Sequence, residues 1–369
     1  MPDLHYWQEP FALAEGWADH PGERHHGAHG ELASRALSFP GEILDFSQNV
    51  NPLGPPVGAL EAARRAVTEE SGGYPALDYP ELREALALYL EVPAATVLPT
   101  NGGAEALFLA TRAASENQSR KALVLEPTFS EYAAAARTAG LEPERRISRR
   151  PEQSFAFDAL VLDDLEDVAA VFLCNPNNPT GNALSRDEVL EVAVKVREAG
   201  ATLIVDEAFA DFVPEVSVAL EVVEGLQVAR SLTKFFTIPG LRLGCLISAN
   251  PERAQSFQPS WSVNAPAAAA GAVAARDRDF AERSILAVEC LRDALYDVLN
   301  ALPGIEAFPG AANFLLARGP EGLAGRLARR GILVRGCEPF PGLGPEFFRV
   351  AVRGEEENRR LIEALREES

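Results

Sequence analysis

The sequence predicts an α/β protein with a large domain built on a mostly parallel sheet, followed by a smaller α+β domain. Three observations carry that prediction. Between about residue 50 and residue 265, short apolar runs alternate with helix-length segments, as in βα units whose sheet is covered on both faces. After residue 266 the texture changes to an Ala-rich helical stretch followed by shorter strand-like pieces and a charged terminal helix. The length, 369 residues, exceeds what one hydrophobic core organises.

The apolar runs are ATVLP (95–99), KALVLEP (121–127), VAAVFLCNP (168–176), ATLIVDEAF (201–209), LQVARS (226–231) and LRLGCLIS (241–248). Helical patterns lie between several of them, near 103–115, 129–139 and 185–199. The last has a start signal in Ser185 with Glu188 three residues on, and a stop at Gly200. In sheets of this kind ligands gather at the carboxyl ends of the strands. Asn101 to Gly103, Asn178, Asp206 and Ser231 to Lys234 all follow apolar runs. The domains are placed at 1–48 (an arm or part of the small domain), 49–265 (large) and 266–369 (small).

Composition narrows the function. A net charge of −20 opposes unspecific binding to nucleic acid or anionic lipid, which require a positive surface. No apolar run approaches the roughly 20 residues of a membrane span, and the acidic N-terminus lacks a signal-peptide pattern; the expected location is the cytoplasm. Cys174, Cys245, Cys290 and Cys337 have no metal-ligand spacing, and all five histidines fall within the first 29 residues. The cysteines are expected to be buried free thiols, and no metal site is expected.

Only three lysines occur, against 31 arginines, so each can be judged by its setting. Lys121 opens a strand and Lys195 sits on an amphipathic helix. Lys234, in SLTKFFTIPG, has no carboxylate near it in sequence. A pyridoxal-phosphate (PLP) site needs such a lysine, an acid for the pyridine nitrogen and several donors for a phosphate. Asp206 ends a strand 28 residues earlier, and Ser231, Thr233 and Arg242 flank the lysine. Asn101-Gly102-Gly103 stands where a strand turns into a helix. Taken singly, each has a plainer reading: a cap, a turn, a core aromatic or a surface ion pair.

In their order, NGGAEA (101–106), PTFSEY (127–132), NPNNPTG (175–181), DEAF (206–209) and SLTKFFTIPGLRLG (231–244) resemble the fold-type I PLP enzymes of the aminotransferase class I/II superfamily. The resemblance covers nearly the whole chain and implies a seven-stranded, mostly parallel sheet. It implies that Lys234 holds the cofactor as a Schiff base and that Asp206 pairs with its ring nitrogen. Asn178 matches the partner of the 3-oxygen, and Phe129 the aromatic that stacks on the ring. Gly102, Gly103, Ser231, Thr233 and Arg242 match the phosphate cup. Tyr74, in GGYPALDYP, matches a tyrosine that reaches the phosphate of a neighbouring subunit, which implies a homodimer. Arg349, in FFRVAVR, matches the arginine that grips a substrate carboxylate.

Within the superfamily, HHGAHGELA (25–33), LDFSQNVNPLG (44–54) and WSVNAPAAAAG (261–271) resemble the threonine-phosphate decarboxylases of cobalamin synthesis. Histidinol-phosphate aminotransferases are the alternative. Phe209 favours the decarboxylases, because the aminotransferases usually place there a tyrosine that bonds the 3-oxygen. Ala28 departs from the decarboxylase pattern, which has a second glycine. The substrate expected is a phosphorylated amino acid, with Asn49, His26, Arg335 and Arg349 as candidate clamps. A PLP-sensing regulator of the same fold would add a DNA-binding domain, which neither the N-terminal pattern nor the charge supports.

Overall fold

The computed structural model describes residues 42–368 apart from 71, 117 and 118; His26 lies outside the described residues. Thirteen strands are described: β1 (Leu44–Asp45), β2 (Val97–Thr100), β3 (Lys121–Glu126), β4 (Glu142–Ile147), β5 (Val168–Cys174), β6 (Thr202–Asp206), β7 (Leu226–Ser231), β8 (Gly244–Ser248), β9 (Glu306–Ala307), β10 (Phe314–Arg318), β11 (Ile332–Leu333), β12 (Arg335–Gly336) and β13 (Phe347–Ala351). Seven of them form the large sheet in the order β2-β8-β7-β6-β5-β3-β4. Only β8 runs antiparallel to its neighbours, so the expected mostly parallel, seven-stranded sheet is present.

Both faces of this sheet are buried, which explains why its strands read as continuous apolar runs rather than as alternating ones. Leu123, Leu125, Val171, Leu173, Leu203 and Val205 pack into one layer. Ala122, Val124, Ala170, Phe172 and Ile204, the alternate residues, pack into the other. Helix Arg186–Glu198 covers the first face through Val189, Val192 and Val196. Its capping box is formed, with Ser185 Oγ accepting from Glu188 N and Ser185 N donating to Glu188 Oε2 at 2.8 Å. Helix Gly102–Ala114 covers the second face through Leu107 and Ala110, with its N-terminus at the end of β2.

The smaller sheet, β12-β13-β10-β9, is antiparallel, and Leu315 and Val350 pack with Leu295, Leu299, Leu361 and Leu365 of two flanking helices. β1 and β11 pair in parallel as a separate two-stranded sheet. Two expectations are corrected. The run 241–248 is strand only from Gly244, because Arg242 takes a left-handed φ of 62° and turns the chain. Cys290 is exposed, whereas Cys174, Cys245 and Cys337 are buried. No helix among the described residues is long and apolar enough to cross a membrane.

Candidate active site

The carboxyl ends of β5, β6 and β7, together with the turn after β2, bring most of the singled-out residues together. Asp206 is the last residue of β6 and is buried. Its Oδ1 accepts from Ala208 N at 3.0 Å and its Oδ2 from Tyr132 Oη at 2.8 Å. Burial pushes the Asp206 carboxyl up, against the Tyr132 hydrogen bond and the Lys234 charge, which favour the carboxylate. Tyr132 is enclosed, lying parallel to Phe172 at 5.0 Å and edge-on to Phe129 at 5.8 Å. Its hydroxyl stays protonated, since burial and the adjoining Asp206 raise its pKa well above the ordinary value.

Lys234 lies on the short helix Leu232–Phe235 that follows β7, with Nζ donating to Ser231 Oγ at 3.2 Å. Burial lowers its pKa, Asp206 opposes the shift, and the Arg242 charge adds to it. The Phe209 ring centroid lies 5.9 Å from Nζ, and that ring packs edge-on against Phe314. Ser231 Oγ and Thr233 Oγ1 are 2.8 Å apart, so two hydroxyls converge beside the lysine.

The turn at Asn101 to Gly103 closes the same hollow. Gly102 has a φ of 80°, and a Cβ there would stand 2.9 Å from Arg242 Nη2. At Gly244, the first residue of β8, a Cβ would come within 2.6 Å of Arg230 O, Gly102 C and Gly103 N. The backbone of β8 thus presses directly against the start of helix Gly102–Ala114, which only glycine permits. The result is a helix N-terminus, two hydroxyls and a guanidinium around one small volume, a donor set suited to a phosphate.

A second group of cations lies at the small sheet. Arg349 on β13 and Arg335 on β12 are cross-strand partners. Arg349 is buried, with its guanidinium 5.3 Å from the Phe314 ring centroid. Its Nη1 donates to Asn178 Oδ1 and its Nη2 to Ser47 O at 2.8 Å, while Nε has no partner among the described residues. Burial brings its pKa down to about 10 and lowers that of Arg335 as well. Like charges facing each other across a ladder are unfavourable unless something anionic lies between or beside them. Asn49 is also buried, and its Oδ1 has no hydrogen-bond partner among the described residues.

Tyr74 is separate from this cluster on the single chain, 82% exposed and stacked on Trp261 at 4.4 Å. Phe129 is partly buried at the edge of the layer that holds Tyr132. Asn178 serves Arg349 through its carbonyl oxygen, a role that the sequence did not suggest.

Two further residues escaped the sequence reading. Tyr132 lies in the motif PTFSEY, whose pattern gives it no role; its bond to Asp206 does. Arg149 follows β4, is 1% exposed, lies over the Phe157 ring and leaves Nε and Nη2 without partners among the described residues. Burial lowers its pKa to about 10, against the influence of Cys174 and Tyr132. An uncompensated buried charge is costly, so Arg149→Leu is expected to raise the thermal midpoint by roughly 2–6 °C. A lower midpoint would show that the guanidinium is satisfied by a group the substitution deprives.

The hollow and its donors fit comparisons with known proteins. The aminotransferase class I and II family matches residues 41–365. The chain belongs to that family. Its cofactor is pyridoxal 5'-phosphate, and the residues present fit that group: a lysine amine, a buried carboxylate and a cradle that a Cβ would fill. Within the family, the chain is 37% identical over 354 residues to the threonine-phosphate decarboxylase of Salmonella typhimurium, covering 92% of this chain and 95% of that protein. It is 33% identical to a histidinol-phosphate aminotransferase of Methanopyrus kandleri, covering 91% of each. The crystal structure of L-threonine-O-3-phosphate decarboxylase from Porphyromonas gingivalis superposes with a TM-score of 0.77 at 25% identity, over 88% of this chain and 98% of that one. The histidinol-phosphate aminotransferase of Clostridium acetobutylicum gives 0.81 at 30% identity, over 88% and 98% respectively. Backbone similarity therefore does not separate the two activities.

Proposed function

We propose that the chain catalyses decarboxylation of L-threonine O-3-phosphate to (R)-1-aminopropan-2-ol O-2-phosphate, as a homodimer in the cytoplasm. The observation that carries this reading is the buried Arg349 guanidinium, held among the described residues by the neutral acceptors Asn178 and Ser47, with Arg335 as its cross-strand partner. The pair suits a substrate with two anionic ends, since a planar guanidinium fork matches a carboxylate or phosphate. Similarity to the Salmonella typhimurium decarboxylase over most of both chains favours the decarboxylase reading over the aminotransferase one.

Lys234 is assigned as the amine that holds the cofactor covalently, and Asp206 as the acceptor that keeps a proton at the ring nitrogen. Tyr132, bonded to Oδ2, orients that carboxylate. Gly102, Gly103, Ser231, Thr233 and Arg242 hold the cofactor phosphate, Phe129 flanks the ring, and Asn178 faces the 3-oxygen. Tyr74 extends toward the phosphate of the second subunit, in keeping with its exposure. The bound cofactor supplies an electron sink for whichever Cα bond lies perpendicular to its ring. Arg349, Arg335 and Asn49 must then hold the substrate so that the Cα–carboxylate bond takes that position. Loss of the carboxylate as carbon dioxide would leave Cα needing a proton, for which Lys234, freed when the substrate amine takes its place on the cofactor, would be the source. His26 stays a candidate phosphate ligand by resemblance alone.

Phe209 supports the same reading, since it leaves the 3-oxygen without a phenolic donor. Phe209→Tyr is expected to move the pH titration of the cofactor's visible absorption down by roughly one unit, because a donor to the 3-oxygen favours the deprotonated form. An unchanged titration would remove position 209 from the argument. The reaction itself is tested by incubating PLP-loaded protein with L-threonine O-3-phosphate and no 2-oxo acid. Carbon dioxide release supports the proposal. No release, with glutamate formed from histidinol phosphate and 2-oxoglutarate, would replace it by the aminotransferase.

A further inference from the structure

Behind the cofactor groups, on the opposite side of the same two strand ends, lies a buried ionic network that none of the roles above uses. Glu207 directly follows Asp206, and Arg230 directly precedes Ser231. Arg230 Nη1 donates to Glu207 Oε2 at 2.6 Å and to Ser217 Oγ at 3.3 Å, while its Nη2 donates to Asp211 Oδ1. Tyr89 Oη donates to the same Asp211 oxygen at 2.8 Å. Glu207 is completed by Ser217 Oγ at 2.6 Å and Val218 N at 2.7 Å. Arg230, Glu207 and Asp211 are all at most 5% exposed, so one cation answers two carboxylates away from bulk solvent. Burial disfavours the Arg230 charge, but the two carboxylates outweigh it and hold the guanidinium protonated.

The position of this network gives it a consequence for the site. β6 and β7 pair in register with Asp206 opposite Ala229, and Glu207 N donates to Ala229 O at 2.9 Å. The ion pair then continues the ladder one step beyond its last backbone bonds, at the step where the cofactor groups emerge. The Arg230 carbonyl is also the floor of the cradle. A Cβ at Gly244 would lie 2.6 Å from it, and one at Gly103 3.4 Å from it. A shift of Arg230 therefore moves Ser231, Gly103 and Gly244 together, and a shift of Glu207 moves Asp206.

We propose that Arg230 is a positioning residue of the cofactor site, locking the ends of β6 and β7 through Glu207 and Asp211 so that Asp206 and Ser231 keep their spacing. The inference rests on the assignment of Asp206, Ser231 and Lys234 to the cofactor. Removing one partner from a buried ion pair leaves the others uncompensated, so strand separation is the expected relaxation.

The test titrates apoprotein with PLP, well below the melting transition, following visible circular dichroism. Arg230→Met is expected to weaken PLP binding by roughly 100-fold and to change the dichroism per bound cofactor. Arg230→Lys, which keeps the charge but loses the fork, should fall between. Tyr89→Phe removes only one hydrogen bond to Asp211 and should weaken binding by roughly 3–10-fold; it keeps the test open if Arg230→Met does not fold. Variants that melt earlier but bind PLP with unaltered affinity and dichroism would overturn the proposal and leave the network merely structural. Failure of the unsubstituted protein to bind PLP in the same titration would instead strike at the cofactor site itself.

Discussion

Lys234→Ala is expected to leave no cofactor covalently attached after borohydride reduction, whereas the unsubstituted protein should be labelled on one peptide containing residue 234. The expectation follows from geometry and charge together. Among the described residues Lys234 is the lysine at the carboxyl edge of the large sheet, beside Ser231 and within reach of the Asp206 charge. Lys121 pairs with Glu144 at 3.3 Å and Lys195 with Asp163 at 2.6 Å, both away from the cradle. Burial lowers the Lys234 pKa below its ordinary 10.5, so the neutral, nucleophilic amine is present at a lower pH than for a free lysine. Covalent capture of PLP by the apoprotein should accordingly speed up as pH rises and level off before the ordinary lysine value. A persistent reducible adduct in Lys234→Ala would refute the lysine assignment, and capture that keeps accelerating beyond that value would contradict the lowered pKa.

Arg349→Met carries the second large effect. The side chain is nearly isosteric along its stem but cannot grip an anion, so kcat/KM should fall by roughly 10²–10⁴-fold, mainly through KM. Covalent capture of the cofactor by Lys234 should persist, with a modest shift in its absorption, because Arg349 donates to Asn178 and its charge acts on Lys234. Folding should change little, since removal of a buried cation with no carboxylate bonded to it among the described residues offsets the acceptors left on Asn178 and Ser47. Arg349→Lys should recover little, because a single ammonium cannot reproduce the fork that spans Asn178, Ser47 and a ligand. A kcat/KM within threefold of the unsubstituted protein would remove Arg349 from the substrate site.

The sequence and the structure agree most closely where chemistry depends on residues near one strand end. Asp206, Ser231, Thr233 and Lys234 follow strands that continuous apolar runs make legible, because burial on both faces leaves no polar alternation. The glycines at 102 and 103 were legible for a related reason, since a strand-to-helix turn that approaches other backbone closely excludes a Cβ. Legibility fails for pairings across long sequence distances. Nothing in the local pattern joins Asn178 to Arg349, or Tyr132 to Asp206, 74 residues away. Arg230 and Glu207 are not legible because each sits beside a residue with a plainer role, and an ion pair spanning two strands has no signature in either. The start of β8 was misplaced because Leu241 and Leu243 continue an apolar run through Arg242, whose left-handed backbone ends it.

The proposed reaction is most directly tested by following the hydrogen at Cα. L-Threonine O-3-phosphate carrying deuterium there should yield 1-aminopropan-2-ol phosphate with that deuterium retained at C1, alongside one solvent hydrogen, as read by NMR. Retention follows if the carboxylate, and not the hydrogen, is the group held perpendicular to the cofactor ring. Deuterium released to water, with a 2-oxo acid as product, would show that the Cα–H bond breaks instead and would contradict the decarboxylase account.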